Sequence, residues 1–409
     1  MSSLPLASTP ESRMRDTLER RFAQTAPHHG AMVTAMAEAC LVRRPGQAKI
    51  AIVPATNGQP ALLVVVNDDM PYLLDTTLLC LKRSKCRTAR VLHPIVTVKR
   101  DIDGVARALG GNRADSVICV ELPDGPAPGL ADMLADSLKC VAATIGAEPA
   151  IRHQMAGLAQ AISDSAWELK AFVSWLMEGH FLPLGLSLWR EMPGASPQAS
   201  QVFGLSQHHE WPDLGELARA GFADAAPPLS VTRLPRNSPI VRDILFDAIV
   251  LRVEDGDHRK VAVLVGLFDP PLASVAAREI PYLRRKVSRT IELAGVVPLS
   301  HDEKHLRRIV EVMPRASLFM DGVETILDRA RTILEREEHA LPCCFASPLP
   351  GGTLTLAQVL LAKERFHPGL EDALKALMER HLGEQVSGIV RGDGISWTIG
   401  RQRGGPSVS

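Results

Sequence analysis

The sequence predicts an α+β chain made of several small modules, and three observations carry that expectation. At 409 residues the chain exceeds one ordinary domain, so length alone suggests two to four. A composition 46% hydrophobic and 22% charged is that of a globular protein able to bury a core. Short β-branched runs alternate with helical periodicities along almost the whole chain.

Residues 1–45 read as a helical lead-in, with Met14, Leu18 and Phe22 at i, i+4 and i+8. Lys49–Val53 and Ala61–Val66 flank a turn containing Asn57-Gly58, which is a hairpin signal. A helix is expected to open at Pro71, capped by Asp68 or Asp69, with Leu74, Leu78 and Leu81 turned inward. Strands at Arg90–Lys99 and Ser116–Leu122 and a helix at Leu130–Ile145 complete a β-α-β-β-α order within residues 46–150. That order is expected of a ferredoxin-like two-layer module. A second module spans 160–295, from a helix carrying Trp167, Ala171 and Trp175 to one that opens at Pro281 and stops at Gly295. Within it, 191–228 is rich in Pro, Gly, Ala, Ser and His and reads as a long mobile insertion. A helical connector (296–338) and a third module (339–400) follow.

Composition narrows the function classes. The 46 basic and 46 acidic residues cancel, which argues against nucleic acid or an acidic membrane as partner. The seven cysteines are odd in number and form no CxxC pair, so free thiols in a reducing compartment are expected. No apolar run is long enough for a membrane span or a signal peptide. A soluble, cytoplasmic protein is the expectation.

Residues 64–75, Val-Val-Val-Asn-Asp-Asp-Met-Pro-Tyr-Leu-Leu-Asp, followed by Val91-Leu-His-Pro-Ile-Val-Thr-Val-Lys-Arg-Asp101, resemble the first regulatory module of the large bacterial NAD-dependent glutamate dehydrogenases. Further similar segments follow in the same order: Trp175–Gly185, Gly266-Leu-Phe268, Ile280–Val287, Ser300-His-Asp302, Pro314-Arg315 and Leu360–Phe366. The resemblance implies three ACT-type modules of ferredoxin-like fold with helical connectors, which often bind amino acids and pair with one another. The dehydrogenase chemistry of that family lies in a longer downstream segment. Hydride transfer needs a phosphate-cradling glycine turn on a Rossmann unit, and no GxGxxG occurs; Gly392-Asp-Gly394 lacks the third glycine. The expectation is therefore a regulatory or assembly region that has no catalytic residues and binds no NAD or other cofactor itself. Its expected partners are a separately encoded catalytic chain, an amino-acid effector and further copies of itself. An amino-acid-sensing protein is the alternative.

Asn67, Asp68, Asp69 and Met70 form the candidate effector site: a strand-to-helix turn whose backbone N–H groups could hold a carboxylate while Asp68 or Asp69 meets an ammonium. The competing reading is helix capping, favoured by Tyr72 at the place where ligand-binding modules of this type usually carry glycine. His301 and His305 have chelating spacing without a third ligand, and Ser300 with Glu303 reads instead as a capping box. Gly204-Leu-Ser206-Gln-His208-His209 lacks the second glycine of a nucleophile elbow. Arg284, Arg285, Lys286 and Arg289 make a basic stripe, either a solvated face or a dock for an acidic surface. Cys343 and Cys344 are expected to place one thiol inside and one outside.

Overall fold

The computed structural model describes residues 9–400 apart from 57, 193–194, 208–212, 256–257, 269–274, 314, 338–342, 349–353, much of 361–385, and 392–393. It divides into two compact units: residues 1–145 with 239–243, and residues 146–238 with 244–409.

In the first unit, α1 (Pro10–Ala23) and α2 (Gly30–Leu41) precede β1 (Lys49–Val53) and β2 (Ala61–Asp68). Then come α3 (Leu73–Arg83), β3 (Val91–Leu92), β4 (Ile95–Arg100), β5 (Ala106–Leu122) and α4 (Leu130–Ala161). The strands pair antiparallel in the order β1-β2-β5, with β3 and β4 both on the far side of β5. From β2 to α4 the succession is β-α-β-β-β-α, which becomes the expected β-α-β-β-α when β3 and β4 are taken as one strand interrupted at His93-Pro94. The edge beside β2, which a strand after the second helix fills in a β-α-β-β-α-β module, is taken here by β1 from before it.

Two-sided burial explains the unbroken apolar run Ala61–Val66. Leu62, Val64 and Val66 pack against Met14, Leu18, Phe22, Met36 and Cys40 of α1 and α2, so the lead-in helices close one face of the sheet. Leu63 and Val65 point to the other face and are equally sealed. The arrangement is thus three-layered, where the sequence alone suggested two. Three boundaries also depart from expectation. Helix α3 starts at Leu73, after Pro71, because Tyr72 adopts a left-handed conformation (φ 72°) and no side chain caps the helix. His93-Pro94 interrupts the expected strand, since proline has no N–H for the ladder. Helix α4 runs on to Ala161 with Pro149 inside it, and the boundary between the two units falls within its length.

The second unit continues from α4 with α5 (Trp167–Trp175), β6 (Phe181–Met192), β7 (Ala195–Gly204), α6 (Asp213–Phe222), β8 (Leu229–Asn237), β9 (Leu245–Asp255) and β10 (His258–Phe268). Helices α7 (Leu283–Ala294), α8 (His301–Val312), α9 (Arg315–Met320) and α10 (Val323–Glu337) follow. The antiparallel sheet has the order β7-β6-β10-β9-β8. The region 191–228 is therefore no loose insertion: β7 is the hairpin partner of β6, and α6 lies on the sheet. Strand β7 is polar and lies at an edge with Pro197 inside it, so it lacks the apolar alternation that marks strands in sequence. Gly221 lets α6 approach closely, because a Cβ there would press on Val250 and Val261. Phe172, Leu186, Leu251, Leu264, Leu283, Val287, Ile309, Phe319 and Ile326 are among the residues that bury one core between the sheet and helices α5 and α7–α10.

A third antiparallel sheet has the order β11-β12-β14-β13, from Cys343–Pro348, Leu354–Leu360, Gly394–Gly400 and Val386–Arg391. The helix expected at 369–381 lies largely outside the described residues, as does the burial of Cys343 and Cys344.

Gly266 sits at a bulge between β10 and β6, where an added Cβ would fall inside contact distance of the Leu182 carbonyl and the Phe181 ring. Gly266→Ala is expected to cost the second unit about 2–4 kcal/mol, because backbone on both sides must shift. Urea denaturation with tryptophan fluorescence measures it; a loss below about 0.5 kcal/mol, the range of ordinary surface changes, would show that the bulge relaxes freely.

Candidate functional site

Successive residues of a strand face opposite ways, and this divides the candidate turn at the end of β2. Asp68 turns toward Arg43, just beyond α2. The Arg43 Nη2 donates to Asp68 Oδ1 at 2.5 Å and to Asp115 Oδ1 on β5, and Arg100 of β4 donates to Asp115 Oδ2. Gly46 N–H donates to Asp68 Oδ2 at 2.7 Å, so both oxygens of Asp68 are already engaged. Arg43 Nη1 donates to the carbonyls of Arg44 and Gln47, and its backbone N–H to the carbonyl of Gly104. Gly104 (φ 83°) must lack a side chain, since a Cβ would stand 2.6 Å from the Arg43 carbonyl.

Arg43 and Asp115 are only 4% and 3% exposed, so this is a buried network of two arginines and two aspartates. Burial alone would lower the Arg43 pKa, but its hydrogen bonds to Asp68 and Asp115 raise it. Burial likewise pushes the Asp68 carboxyl up, and Arg43 and the Gly46 N–H outweigh this to hold it below the usual carboxylate range. Beside the network, burial drives the Cys40 thiol up to about 12, so it stays an unreactive core group.

Asn67 faces the other way and is 5% exposed. Its Oδ1 accepts from Asp68 N–H, and across the ladder it stands opposite Ser116, whose Oγ lies 2.6 Å from His93 Nε2. Asp69 is exposed and donates its N–H to the Ala114 carbonyl; half-buried Met70 leads into the Pro71-Tyr72 turn. Of the four candidate residues, then, Asn67, Asp69 and Met70 line the approach to α3, while Asp68 belongs to the arginine network. Sequence reasoning missed Arg43, Arg100, Asp115, His93 and Ser116. The one available signal was Asp115, a charge at the head of the apolar run Val117–Leu122.

The second unit repeats the turn. Pro281-Tyr282-Leu283 opens α7 as Pro71-Tyr72-Leu73 opens α3, and Tyr282 is again left-handed (φ 71°). Here the seat holds a carboxylate: Glu168 of α5, 7% exposed, accepts from Tyr282 N–H at 3.0 Å and from Arg284 Nε at 2.8 Å. A carboxylate at a helix N-terminus satisfies orphan N–H groups and the helix dipole together. The basic stripe is consequently not a uniform face. Arg284 is bound to Glu168, and Lys286 turns inward to donate to the carbonyls of Leu318, Phe319 and Asp321 near the end of α9. Burial lowers the Lys286 pKa to about 8, the Asp321 charge opposing it.

Ser300 accepts from Glu303 N–H, and Glu303 accepts from Leu299 N–H, so His301 and His305 stand on a capped helix start. Ser206 is buried with its Oγ unpartnered, and His208 and His209 lie outside the described residues.

Several segments of the chain are similar to known proteins. Residues 15–138 match the family model described as glutamate dehydrogenase, ACT1 domain, and residues 280–339 the one described as glutamate dehydrogenase, helical motif 1. Residues 373–406 match a model described as a protein of unknown function. The NAD-specific glutamate dehydrogenase of Pseudomonas aeruginosa is 25% identical over 232 residues, covering 52% of this chain and 14% of that protein. The enzyme of the same name from Halomonas elongata is 29% identical over 114 residues, covering 28% of this chain and 7% of its own length. The chain thus matches about a seventh or less of each of these relatives.

Two outcomes check the geometry. Arg43→Met leaves Asp115 and Asp68 without their shared partner and should cost about 3–5 kcal/mol, measured by urea denaturation at neutral pH. A loss under about 1 kcal/mol, a surface-pair value, would mean that the network is solvated. For Lys286, the folded chain holds fewer protons than the unfolded one between about pH 8 and the ordinary lysine value of 10.5. Its contribution to stability therefore rises with pH across that window. Subtracting the pH–stability curve of Lys286→Met from that of the parent should show this rise, and a flat difference would place the ammonium in water.

Proposed function

We propose that this chain, which is related to the N-terminal region of the NAD-specific glutamate dehydrogenases, is a regulatory and assembly region without catalytic activity of its own. The observation that carries the reading is the pair of matched segments. One, described as an ACT1 domain, coincides with the first sheet and its covering helices, and the other, a helical motif, runs from the start of α7 to the end of α10. The conversion of glutamate to 2-oxoglutarate, with NAD, belongs in this reading to a catalytic part outside these residues, supplied by a separate dehydrogenase chain. The sheets support a modular reading. In the first, the inner strand β2 is followed by helix α3, and its partner β1 occupies the edge that closes a ferredoxin-like module. We extend the reading to three such modules, at residues 46–150, 160–295 and 339–400, which pair with further copies of the chain.

A second reading, amino-acid sensing at the α3 turn, is favoured by one observation. The like-built turn at α7 holds the Glu168 carboxylate, so the carboxylate of a free amino acid suits the Asn67–Met70 turn. With Asp68 bound to Arg43, the ammonium would be met by Asp69.

Affinity capture of the tagged chain from its native cells, with a glutamate-dependent NADH assay on the eluate, tests the first reading. A co-purifying dehydrogenase chain and activity in the eluate are expected, together with no activity of the purified chain alone. Glutamate oxidation by the pure chain would sink the reading. For the second, saturable thermal stabilisation by a free amino acid is expected and should be lost in Asn67→Ala.

A further inference from the structure

The connection between α7 and α8 leaves an apolar corner in water. Helix α7 stops at Gly295, whose left-handed conformation (φ 67°) turns the chain out of the helix. Ala294 and Val296 pack on the core, so the connection is anchored, and Val297, Pro298 and Leu299 project from it. Val297 is 70% exposed and Leu299 83%, and Leu293 in the last turn of α7 is 49% exposed. The corner is pinned from the α8 side. Leu299 N–H donates to the Glu303 carboxylate at 2.5 Å, Ser300 N–H donates to the Val297 carbonyl, and Arg307 holds Glu303 at 2.7 Å. Leu299 is thereby kept left-handed (φ 64°), a conformation disfavoured for a residue with a Cβ. Two unfavourable features meet here: aliphatic side chains left in water, and a strained backbone that keeps one of them there. Strain of this kind, imposed by its surroundings, is a pointer to function.

The charge beside the corner is mostly positive. Lys304 and Arg308, one turn apart on α8, and Arg285 on α7 face solvent. Among the described residues none of the three forms a hydrogen bond or an ion pair through its side chain. Of the exposed carboxylates nearby, Glu292 is bound to Arg289 at 3.1 Å, which leaves Asp302. An apolar projection with a cationic rim fits an apolar recess rimmed by carboxylates. A two-fold contact of the corner with itself would set the same cations face to face, so the charge points to a different chain. The corner also lies inside residues 280–339, the segment similar to the glutamate dehydrogenase helical motif. We infer that the α7–α8 corner docks this chain onto the separate dehydrogenase chain. Val297 and Leu299 enter an apolar recess of that partner, and Lys304 and Arg308 meet Asp or Glu side chains at its rim. The inference rests on the assembly reading and adds the surface through which assembly occurs.

Affinity capture of the tagged full chain from its native cells tests it, with the co-purifying dehydrogenase chain quantified for the parent, for Leu299→Gly and for the double variant Lys304→Glu/Arg308→Glu. Glycine accepts the left-handed conformation, so Leu299→Gly should keep or raise the urea midpoint while it removes the projecting side chain. The parent is expected to retain the dehydrogenase, and each variant to retain ~10-fold less or lower, the loss of an interface anchor or of its rim charges. Equal capture by parent and variants overturns the corner and leaves the assembly reading standing. A parent that captures no dehydrogenase overturns both. Sedimentation of the purified chain and flotation with anionic phospholipid vesicles probe the other occupants. Self-association or vesicle binding that Leu299→Gly abolishes would assign the corner to a second copy or to a membrane, and would overturn the dehydrogenase contact.

Discussion

The first unit depends on one buried guanidinium. Arg43 stands where the chain leaves α2 to enter the sheet, and through Asp68 and Asp115 it joins that exit to the ends of β2 and β5. Arg100 adds β4 to the same carboxylate. Apolar packing alone leaves the slide of α1 and α2 over the sheet poorly defined, because hydrophobic contact has no direction. Charge-assisted hydrogen bonds do have one, and here they fix the register of the layer. The desolvation cost of such a network is large, so its worth is better placed in specificity than in net stability.

The same constraint reorders the candidate site. A carboxylate held by Arg43 and the Gly46 N–H is not available to an ammonium, which leaves Asn67, Asp69 and Met70 at the mouth of α3. The second unit shows what such a turn holds, because Glu168 fills the equivalent place from within the chain. Both turns begin with a left-handed tyrosine, a conformation that costs an L-residue roughly 1–2 kcal/mol and persists only where the surroundings impose it. At Tyr282 those surroundings are visible: its hydroxyl donates to the Leu229 carbonyl, and its ring lies near Phe172 and under Lys286.

Much of the fold was legible in the sequence because burial leaves a period. Two-sided burial of β2 wrote the run Ala61–Val66, and the capping box at Ser300 and the stop at Gly295 wrote the ends of α8 and α7. The family resemblance was legible for a like reason, as the segments around Val64–Asp68, Phe181–Gly185 and Ile280–Val287 lie on buried strands or at a helix start. Strand β7 was not legible: its ladder is dictated by β6, and most of its side chains before Val202 are exposed. Helix α4 runs well past the expected end at Ile145, to Ala161, and carries Pro149 within it, although an interior proline removes a helical hydrogen bond.

By itself the sequence determined the alternation of strands and helices, the α+β class and the likeness to part of the NAD-specific glutamate dehydrogenases, since each is written in local pattern. Only the tertiary structure decided which face each helix covers, that Asp68 pairs with an arginine twenty-five residues earlier, and that Glu168 seats the start of α7. Those are long-range matters of direction and partner. A chain's local periodicity records whether a residue is buried, but not what it meets there.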